Sequence, residues 1–330
     1  MNKMSLHKKQ INLGFLVKKS GILSLIQDSG RFGSFNLGLT NGGPLDTTAF
    51  YWANRLCGNK INSSVIEITM GGVILIAQVD TVIAVAGAAI PMSINGEQKE
   101  LWRSYLIKAG DTLSFGFSQI GIRSYLAVKG GFLIPQIFGS SSTVCREGIG
   151  GLNGDRIKVN DILPYDKYPL IRKPANGDDH LQLAEQHRPN YSNNVTLRTI
   201  AGYQHNHFSP EQQTLFYTNE YCVSKYYDRM GYRLEGKQIT SSIKNIVSEG
   251  ICHGAIQIPA DGQPIVLLND RQTVGGYPKI GSVIALDTAK ISQLSQGGKV
   301  EFKKITMDEA YQIFHQNINA IKQIKLTRCN

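Results

Sequence analysis

From Val65 onward, short apolar runs alternate with Gly, Asn and Asp. Val65–Thr69, Val73–Ala77, Val82–Ala86, Thr112–Phe117 and Arg123–Val128 are rich in β-branched or aromatic residues and have the length of strands. No helical pattern of about 10–15 residues alternates with them, which disfavours a parallel α/β sheet. Many short strands joined by glycine turns predict a barrel or sandwich. One short helix precedes them. Asp46 reads as its N-cap, Phe50, Ala53 and Cys57 form one apolar stripe, and Gly58 is a C′ stop. Upstream, the apolar segment Gly21–Ile26 ends in the polar cluster Gln27-Asp28-Ser29-Gly30-Arg31. Gly139–Gly154 is small and polar around Arg146 and Glu147 and reads as either a loop over a site or a long connection.

Residues 166–194 are rich in Asp, Asn, His, Pro and Lys and poor in large apolar groups. They predict a linker between an N-terminal domain, 1–165, and a C-terminal domain, 195–330. Strands restart at Val195–Ile200. Ser209-Pro210-Glu211-Gln212 reads as a capping box with proline at N1. A last helix starts at Thr306 with Glu309 three residues on, and its stripe of Tyr311, Phe314, Ile318 and Ile321 is expected to pack in a core or between domains. Each half reads as strands, one short helix, then strands. The turns Ala109-Gly110-Asp111-Thr112-Leu113 and Gly297-Gly298-Lys299-Val300-Glu301 are alike, which fits two related β-barrels in tandem.

The stretch Glu249–Ile284 concentrates polar chemistry between apolar runs. Ala255–Ile258 and Pro264–Leu268 read as strands, the second buried on both faces. Asn269, Asp270, Arg271, Gln272 and Thr273 follow in a row, then Gly275 and Gly276, which permit positive φ or a close backbone approach. Tyr277, Pro278 and Lys279 lead into a strand over Ile280–Leu286. A polar loop on a rigid scaffold is how reactive groups are commonly presented, and a solvated loop with Asp270 paired to Arg271 is the plain alternative.

Composition narrows the picture. The chain has 330 residues, enough for two domains or one large one, and 34 glycines against two tryptophans suit a turn-rich β protein. Net charge is +10, but Lys3, Lys8, Lys9, Lys18, Lys19, Lys322, Lys325 and Arg328 lie near the ends, leaving 27 basic against 25 acidic residues. That placement argues against a nucleic-acid-binding face. Five widely spaced cysteines without a C-x-x-C pair suggest neither a disulfide framework nor a zinc site. Ile11–Val17 is too short for a signal segment and no run approaches a membrane span, so a cytoplasmic location is expected.

No P-loop, G-x-S-x-G, H-E-x-x-H or Rossmann fingerprint is present. His205 and His207 lack a third ligand nearby and read as a surface pair, so no metal is expected. No lysine stands in a Met-Lys-Met context, so the chain carries no biotin attachment point. What remains is a dispersed polar set: Asp28, Arg31, Asp46, Arg146, Asp228, Arg229, Glu249, Gln257, Asp270, Arg271, Tyr277 and Lys279. Arginines suit carboxylates, phosphates and carbonyl oxyanions, a lysine neutralises developing negative charge, and a carboxylate moves protons. Each has a plainer reading: Asp46 as a cap, Asp228-Arg229 as a local pair, Arg31 as a brace for its own turn.

Gln27-Asp28-Ser29-Gly30-Arg31, Glu67-Ile68-Thr69-Met70-Gly71-Gly72, Ala127-Val128-Lys129-Gly130-Gly131-Phe132, Asp228-Arg229-Met230-Gly231-Tyr232-Arg233-Leu234 and the 249–284 stretch occur in one order. Together they resemble the C-subunit proteins of 5-oxoprolinase, the KipA-like or allophanate hydrolase subunit 2-like group, over Gly21 to about Ile305. The same module forms the carboxyltransferase domain of urea carboxylase. Two segments depart from the pattern: Asn41-Gly42-Gly43-Pro44 lacks a serine, and Ala201-Gly202-Tyr203-Gln204 replaces Pro-Gly-Pro-Gln. The resemblance implies a mainly β fold of two tandem cyclophilin-like β-barrel domains. It also implies two partners: a smaller B subunit, KipI-like, and a separate A subunit. With them would go ATP-dependent cleavage of 5-oxoproline to glutamate, with ATP at a site shared with a partner. The alternatives it leaves are biotin-dependent carboxyl transfer to urea or a related amide, with carboxybiotin on a separate carrier, and a regulatory binding partner without catalysis. Asp270, Arg271, Lys279 and Glu249 are the expected catalytic set. Asp28, Arg31, Asp46, Arg146, Arg229, Gln257, Gly275, Gly276 and Tyr277 are expected to bind substrate.

Overall fold

The computed structural model describes residues 13–168 and 180–329. The first half carries strands β1 (Gly14–Ser20), β2 (Leu23–Gln27), β3 (Val65–Thr69), β4 (Val73–Ala77), β5 (Thr81–Ala89), β6 (Met92–Ile94), β7 (Glu97–Lys99), β8 (Ser104–Ile107), β9 (Thr112–Phe115), β10 (Ile120–Val128) and β11 (Ile162–Pro164). They form two sheets, β11-β1-β4-β9-β6-β7 and β2-β3-β10-β5-β8. Alternate side chains point inward, so Phe15, Ile26, Ile68, Leu75, Val85 and Leu126 share one core. Helix α1 (Thr47–Leu56) packs Phe50 and Trp52 with Tyr125 of β10.

The second half contains β12 (His180–Gln182), β13 (Asn194–Ala201), β14 (Tyr221–Tyr227), β15 (Gly231–Glu235), β16 (Glu249–Gly250), β17 (Ala255–Gln257), β18 (Ile265–Leu267), β19 (Val274–Gly275), β20 (Lys279–Val283), β21 (Lys299–Lys304) and β22 (Thr327–Cys329), with α2 (Pro210–Thr218), α3 (Ala285–Ile291) and α4 (Met307–Gln323). Seven strands close a barrel in the order β13-β20-β17-β18-β15-β14-β21. Its interior holds Leu197, Phe216, Tyr232, Ile256, Val266 and Ile280. Phe216 stacks on Phe302 at 4.4 Å between centroids. The mainly β, barrel-type expectation is met; in the first half the strands divide between two sheets around one core instead of one hydrogen-bonded ring.

Several local expectations change. The strand expected over Ile280–Leu286 stops at Val283, and α3 follows. Asp287 in that helix is fully buried because Arg198 meets it through both Nε and Nη2. The α2 capping box is half formed: Ser209 accepts from Gln212 N, but the Gln212 side chain accepts from Thr240 N at 2.8 Å. Residues 169–179 of the expected linker lie outside the described residues, whereas β12 pairs with β22 and Leu183 is fully buried. Lys18 and Lys19 belong to β1, Lys322 to α4 and Arg328 to β22, so half of the charge assigned to tails sits in ordered elements; Lys3, Lys8 and Lys9 lie outside the described residues. Among the described residues no helix is long and apolar enough to cross a membrane.

The capping box at Thr306 and Glu309 is complete. The stripe it starts is not the buried one: Tyr311 and Phe314 are 65% and 46% exposed. Ala310 and Ile313 pack under Ile284 and Ile305, and Ile321 joins the α1 cluster. Arg55 of α1 fixes this rotation by donating to the carbonyls of Ile321 and Ile324 at 3.0 and 2.6 Å. Thr306→Ala is expected to cost about 1 kcal/mol, read as faster amide exchange in the first turn of α4 without change in the barrel.

Candidate functional site

The expected site residues separate into three neighbourhoods. The first is the seam between the halves. Arg229 sits in the turn between β14 and β15 and reaches across it. Its Nη1 donates to Glu67 Oε1 at 2.6 Å, and its Nε and Nη2 donate to Asp270 at 2.9 and 3.0 Å. Nη2 also reaches the Gly43 carbonyl at 2.7 Å. Glu67 of β3 further accepts from Tyr125 Oη at 2.7 Å and Leu45 N at 3.0 Å. These charges are sealed: Glu67 is 1% exposed, Arg229 6% and Asp270 6%. Burial alone pushes the Glu67 carboxyl up, but Arg229 and Arg123 outweigh it and hold it below the usual range. For Asp270 burial prevails over Arg229 and the carboxyl is raised. Asp270 therefore pairs with Arg229, not Arg271. Asp228 does not pair with Arg229 either, since it accepts from the amides of Met230 and Gly231.

Arg271 donates to the carbonyls of Ile251 and Leu268 at 3.0 and 3.1 Å and covers the Phe35 ring. Asp46 caps α1 through Thr48 N and Ala49 N and accepts from Tyr191 Oη and Gln293 Nε2 at 2.7 and 2.8 Å. It thus ties the 190s segment and the second half to α1. Burial raises its carboxyl despite those bonds.

The second neighbourhood is the serine loop. Asp28 accepts from the hydroxyls of Ser140, Ser141 and Ser142 and from the amides of Ser141 and Gly30. Burial acts to raise its carboxyl, and these donors hold it low. Arg31 donates to the carbonyls of Ile137, Ser140 and Ser142, bracing a distant loop instead of its own turn. Arg146 is partly exposed and pairs with Glu147 at 3.1 Å. Asp28 and Arg31 order a loop, and neither is presented to solvent.

The third neighbourhood lies on the outer wall of the barrel. Ile256 and Val266 point into the barrel core, so their neighbours Gln257 and Ile265 point out. Register places Arg233, Ile265, Gln257 and Lys279 in one row across β15, β18, β17 and β20. A bulge in β20 opposite Ile256/Gln257 lets Lys279 share this outer face while Ile280 fills the core. Lys279 Nζ contacts Glu249 Oε1 at 2.9 Å and donates to the Tyr277 carbonyl at 3.3 Å. Gln204 clamps the pair, donating to Glu249 and accepting from Lys279 N. The Lys279 ammonium holds the Glu249 carboxyl below its usual range. The 269–278 loop folds over this wall through the short β16–β19 ladder. Gly275 and Gly276 have no positive φ; their role is close approach. A Cβ on Gly275 would stand 2.6 Å from Ile251 Cδ1 and 3.0 Å from Gln257 Nε2.

Beside that loop runs an open groove of about 720 Å³, lined by Tyr226, Tyr227, Met230, Gln257, Leu267 and Tyr277 among others. Of the expected site residues, Gln257 and Tyr277 line it. Lys279 does not line it but is the register partner of Gln257, which does.

A family model for the carboxyltransferase domain, subdomain A and B, matches residues 37–304. The chain belongs to this carboxyltransferase-domain family. It is 34% identical to the 5-oxoprolinase C subunit of Escherichia coli (strain K12) over 295 residues, which is 88% of this chain and 91% of that protein. It is 32% identical to the 5-oxoprolinase C subunit of Haemophilus influenzae over 91% of this chain and 94% of that protein. The crystal structure of the K. lactis urea amidolyase superposes with a TM-score of 0.88 at 27% identity, over 95% of this chain and 20% of that chain. The chain is thus related over nearly its whole length to one component of an oxoprolinase, and to about a fifth of a much larger urea-processing enzyme.

Within this carboxyltransferase-family chain, three residues at the seam escape a sequence reading. Glu67 looks like one strand position among apolar neighbours. Asn269 donates to the carbonyls of Gly42 and Pro44, locking the turn before α1. His253 bonds the Asn269 side chain, and burial together with Arg271 pushes its imidazole down to about 4. The signal for Glu67 is a lone acid at the centre of a strand that is otherwise apolar or β-branched; His253 carries none beyond its place in the 249–284 stretch. His205 is buried, not a surface residue; its Nδ1 faces the Ile280 carbonyl at 3.1 Å. Among the described residues no cluster suited to a metal ion occurs, and the five cysteines are free.

The depressed imidazole has a pH consequence. Between about pH 6.5 and 4 the unfolded chain protonates His253 and the folded chain does not, so stability falls with falling pH across that window. The expected loss is about 3 kcal/mol, and His253→Gln should remove that part of the slope. The raised carboxyls of Asp46 and Asp270 act in the opposite sense, so the difference between wild-type and variant denaturation curves is the measurement.

Proposed function

We propose that this chain is one component of a 5-oxoprolinase-type enzyme that activates an amide or lactam carbonyl together with partner subunits. The observation that carries the reading is the 34% identity to the C subunit of a 5-oxoprolinase across 88% of this chain and 91% of that protein. In this reading the partners are a smaller B subunit, KipI-like, and an A subunit. ATP binds where a partner completes the site, since the sequence has no phosphate-binding loop of its own. The outer wall of the barrel is the reacting surface. Lys279 supplies the cation for the developing oxyanion, positioned by Glu249 and Gln204, and Gln257 and Tyr277 contact substrate. Arg229 and Asp270 hold the seam between the halves, Asp28 and Arg31 the serine loop, and Asp46 the start of α1.

The test is glutamate release from 5-oxoproline with ATP, this chain and its A and B subunits, against mixtures lacking each component. Release that requires all of them supports the reading; none from a verified complex overturns it. The likeness to the K. lactis urea amidolyase favours a second reading, carboxyl transfer from carboxybiotin on a separate carrier to an amide. Biotin-dependent carboxylation of urea by a reconstituted complex, with no glutamate release, would select it.

A further inference from the structure

Helix α4 carries two apolar stripes, and only one has a place in its own chain. Ala310 and Ile313 pack under Ile284 and Ile305, and Ile321 joins the α1 cluster. The other stripe runs through Met307, Tyr311, Phe314 and Ile318 and faces outward, with Met307 as exposed as Tyr311 and Ile318 half-covered. Its spacing of four, three and four residues is the seam of a heptad. The His315 ring lies against this seam, 4.2 Å from that of Tyr311 and edge-on to Phe314 at 5.9 Å. Single exposed apolar side chains are ordinary, but a row of them along one helix marks a surface that another molecule covers.

The charges beside the seam say what that molecule is. With Met307 and Phe314 at d, and Tyr311 and Ile318 at a, the e positions are Asp308, His315 and Lys322, all exposed. An acid and a base thus stand at equal distances along the helix on either side of a histidine. Among the described residues neither Asp308 nor Lys322 has an ion-pair partner. The opposite flank, with Ala310 and Asn317, turns toward the body of its own chain. A second copy of α4 laid antiparallel reverses the order of charges. Asp308 of each copy then faces Lys322 of the other, the two His315 rings meet at a twofold axis, and Phe314 lies against Ile318 of the other copy. A parallel pair would not bring e positions face to face, and an unrelated partner gives no reason for charges that are complementary to themselves.

We infer that the outward stripe of α4 is a homodimer interface, in which two copies of this chain pair α4 antiparallel about a twofold axis at His315. No residue of α4 lines the groove beside the 269–278 loop, so the pairing leaves that groove open and does not rest on the oxoprolinase reading. Two helices of 17 residues make a small interface, and the dimer is one that forms and dissociates with concentration.

Sedimentation of the full chain over a concentration series is the test. The wild type is expected to show a reversible monomer–dimer equilibrium. Tyr311→Ser combined with Phe314→Ser should abolish it without lowering the thermal stability of the monomer, since both side chains are exposed. Charge reversal tests the register. Asp308→Lys alone, or Lys322→Glu alone, sets like charges opposite each other at both ends of the pair and should weaken the dimer about tenfold. Mixing these two single variants should restore it, because each supplies the complement of the other, and so should placing both changes in one chain. A chain that stays monomeric throughout overturns the inference, as does a dimer indifferent to the Tyr311→Ser and Phe314→Ser pair. Single reversals without effect, or rescued neither by mixing nor by combination, overturn the antiparallel pairing. A wild-type monomer that uses this stripe only when a B subunit is added assigns the face to that subunit and overturns the inference too.

Discussion

Arg229→Met is expected to destabilise the chain by about 3–5 kcal/mol, measured by chemical denaturation at neutral pH. The variant strands two carboxylates, Glu67 and Asp270, in a sealed seam where the guanidinium now bonds both. Arg123 Nε stays 3.8 Å from Glu67, but its Nη1 is held by Tyr232 Oη and the Ser292 carbonyl and it does not reach Asp270, so it offsets only part of the loss. The sign of the pH response identifies the cause. Without Arg229 both carboxyls lose their main counter-charge, so their folded pKa values rise relative to the wild type. The folded variant then takes up protons first on acidification, and part of the deficit is recovered toward pH 5. A general packing loss would not recover. Glu67→Gln and Asp270→Asn added to Arg229→Met should restore much of the stability, since breaking a buried pair costs more than replacing it whole. A deficit under 1 kcal/mol would show that the seam does not depend on this cluster. The same geometry makes Asp270→Ala an ambiguous probe of catalysis, because any loss of activity would come with a disturbed seam.

On the proposed oxoprolinase reading, Lys279→Ala is expected to lower ATP-dependent turnover of the assembled enzyme by about 10²–10³-fold, the usual effect of removing one oxyanion-stabilising group. The fold should survive. The partner Glu249 is 40% exposed at its side chain, and a half-open pair of this kind contributes at most about 1 kcal/mol. Lys279→Arg keeps the charge and should recover part of the rate. Glu249→Gln should act more mildly, because Gln204 and the Tyr277 carbonyl still hold the lysine region. Unchanged turnover in Lys279→Ala, with a normal unfolding curve, would remove the outer wall from the catalytic assignment.

The family likeness rests on motifs spread over the whole sequence. Their structural meaning differs from motif to motif. Gln27-Asp28-Ser29-Gly30-Arg31 builds the anchor of the serine loop, with Asp28 collecting five donors. Glu67 and Arg229 belong to motifs more than 150 residues apart and meet in one ion cluster. Two motifs reach the groove: the 228–234 motif at Asp228, Met230, Gly231 and Arg233, and the 249–284 stretch at Gln257, Gln272 and Tyr277 among others. A motif scan treats these alike, whereas burial separates those that hold the fold from those that can touch a ligand.

Local rules suffice for part of this structure, and that part is legible in the chain. Alternation and β-branched runs placed β3 at Val65–Thr69 and β4 at Val73–Ala77, because a strand's period of two is written in consecutive residues. Asp46 and Thr306 announced their helices, because a cap needs only backbone amides two or three residues away. Contacts between residues far apart in the chain settled the rest. They chose which apolar stripe of α4 faces inward, through Arg55 more than 250 residues earlier. They gave Asp270 to Arg229 instead of its neighbour, since Arg229 meets Asp270 through two donors across the seam and Arg271 already donates to two carbonyls. They also left the amide of Gln257 without a partner beside an open groove, a property of the strand register and the covering loop that no local pattern encodes.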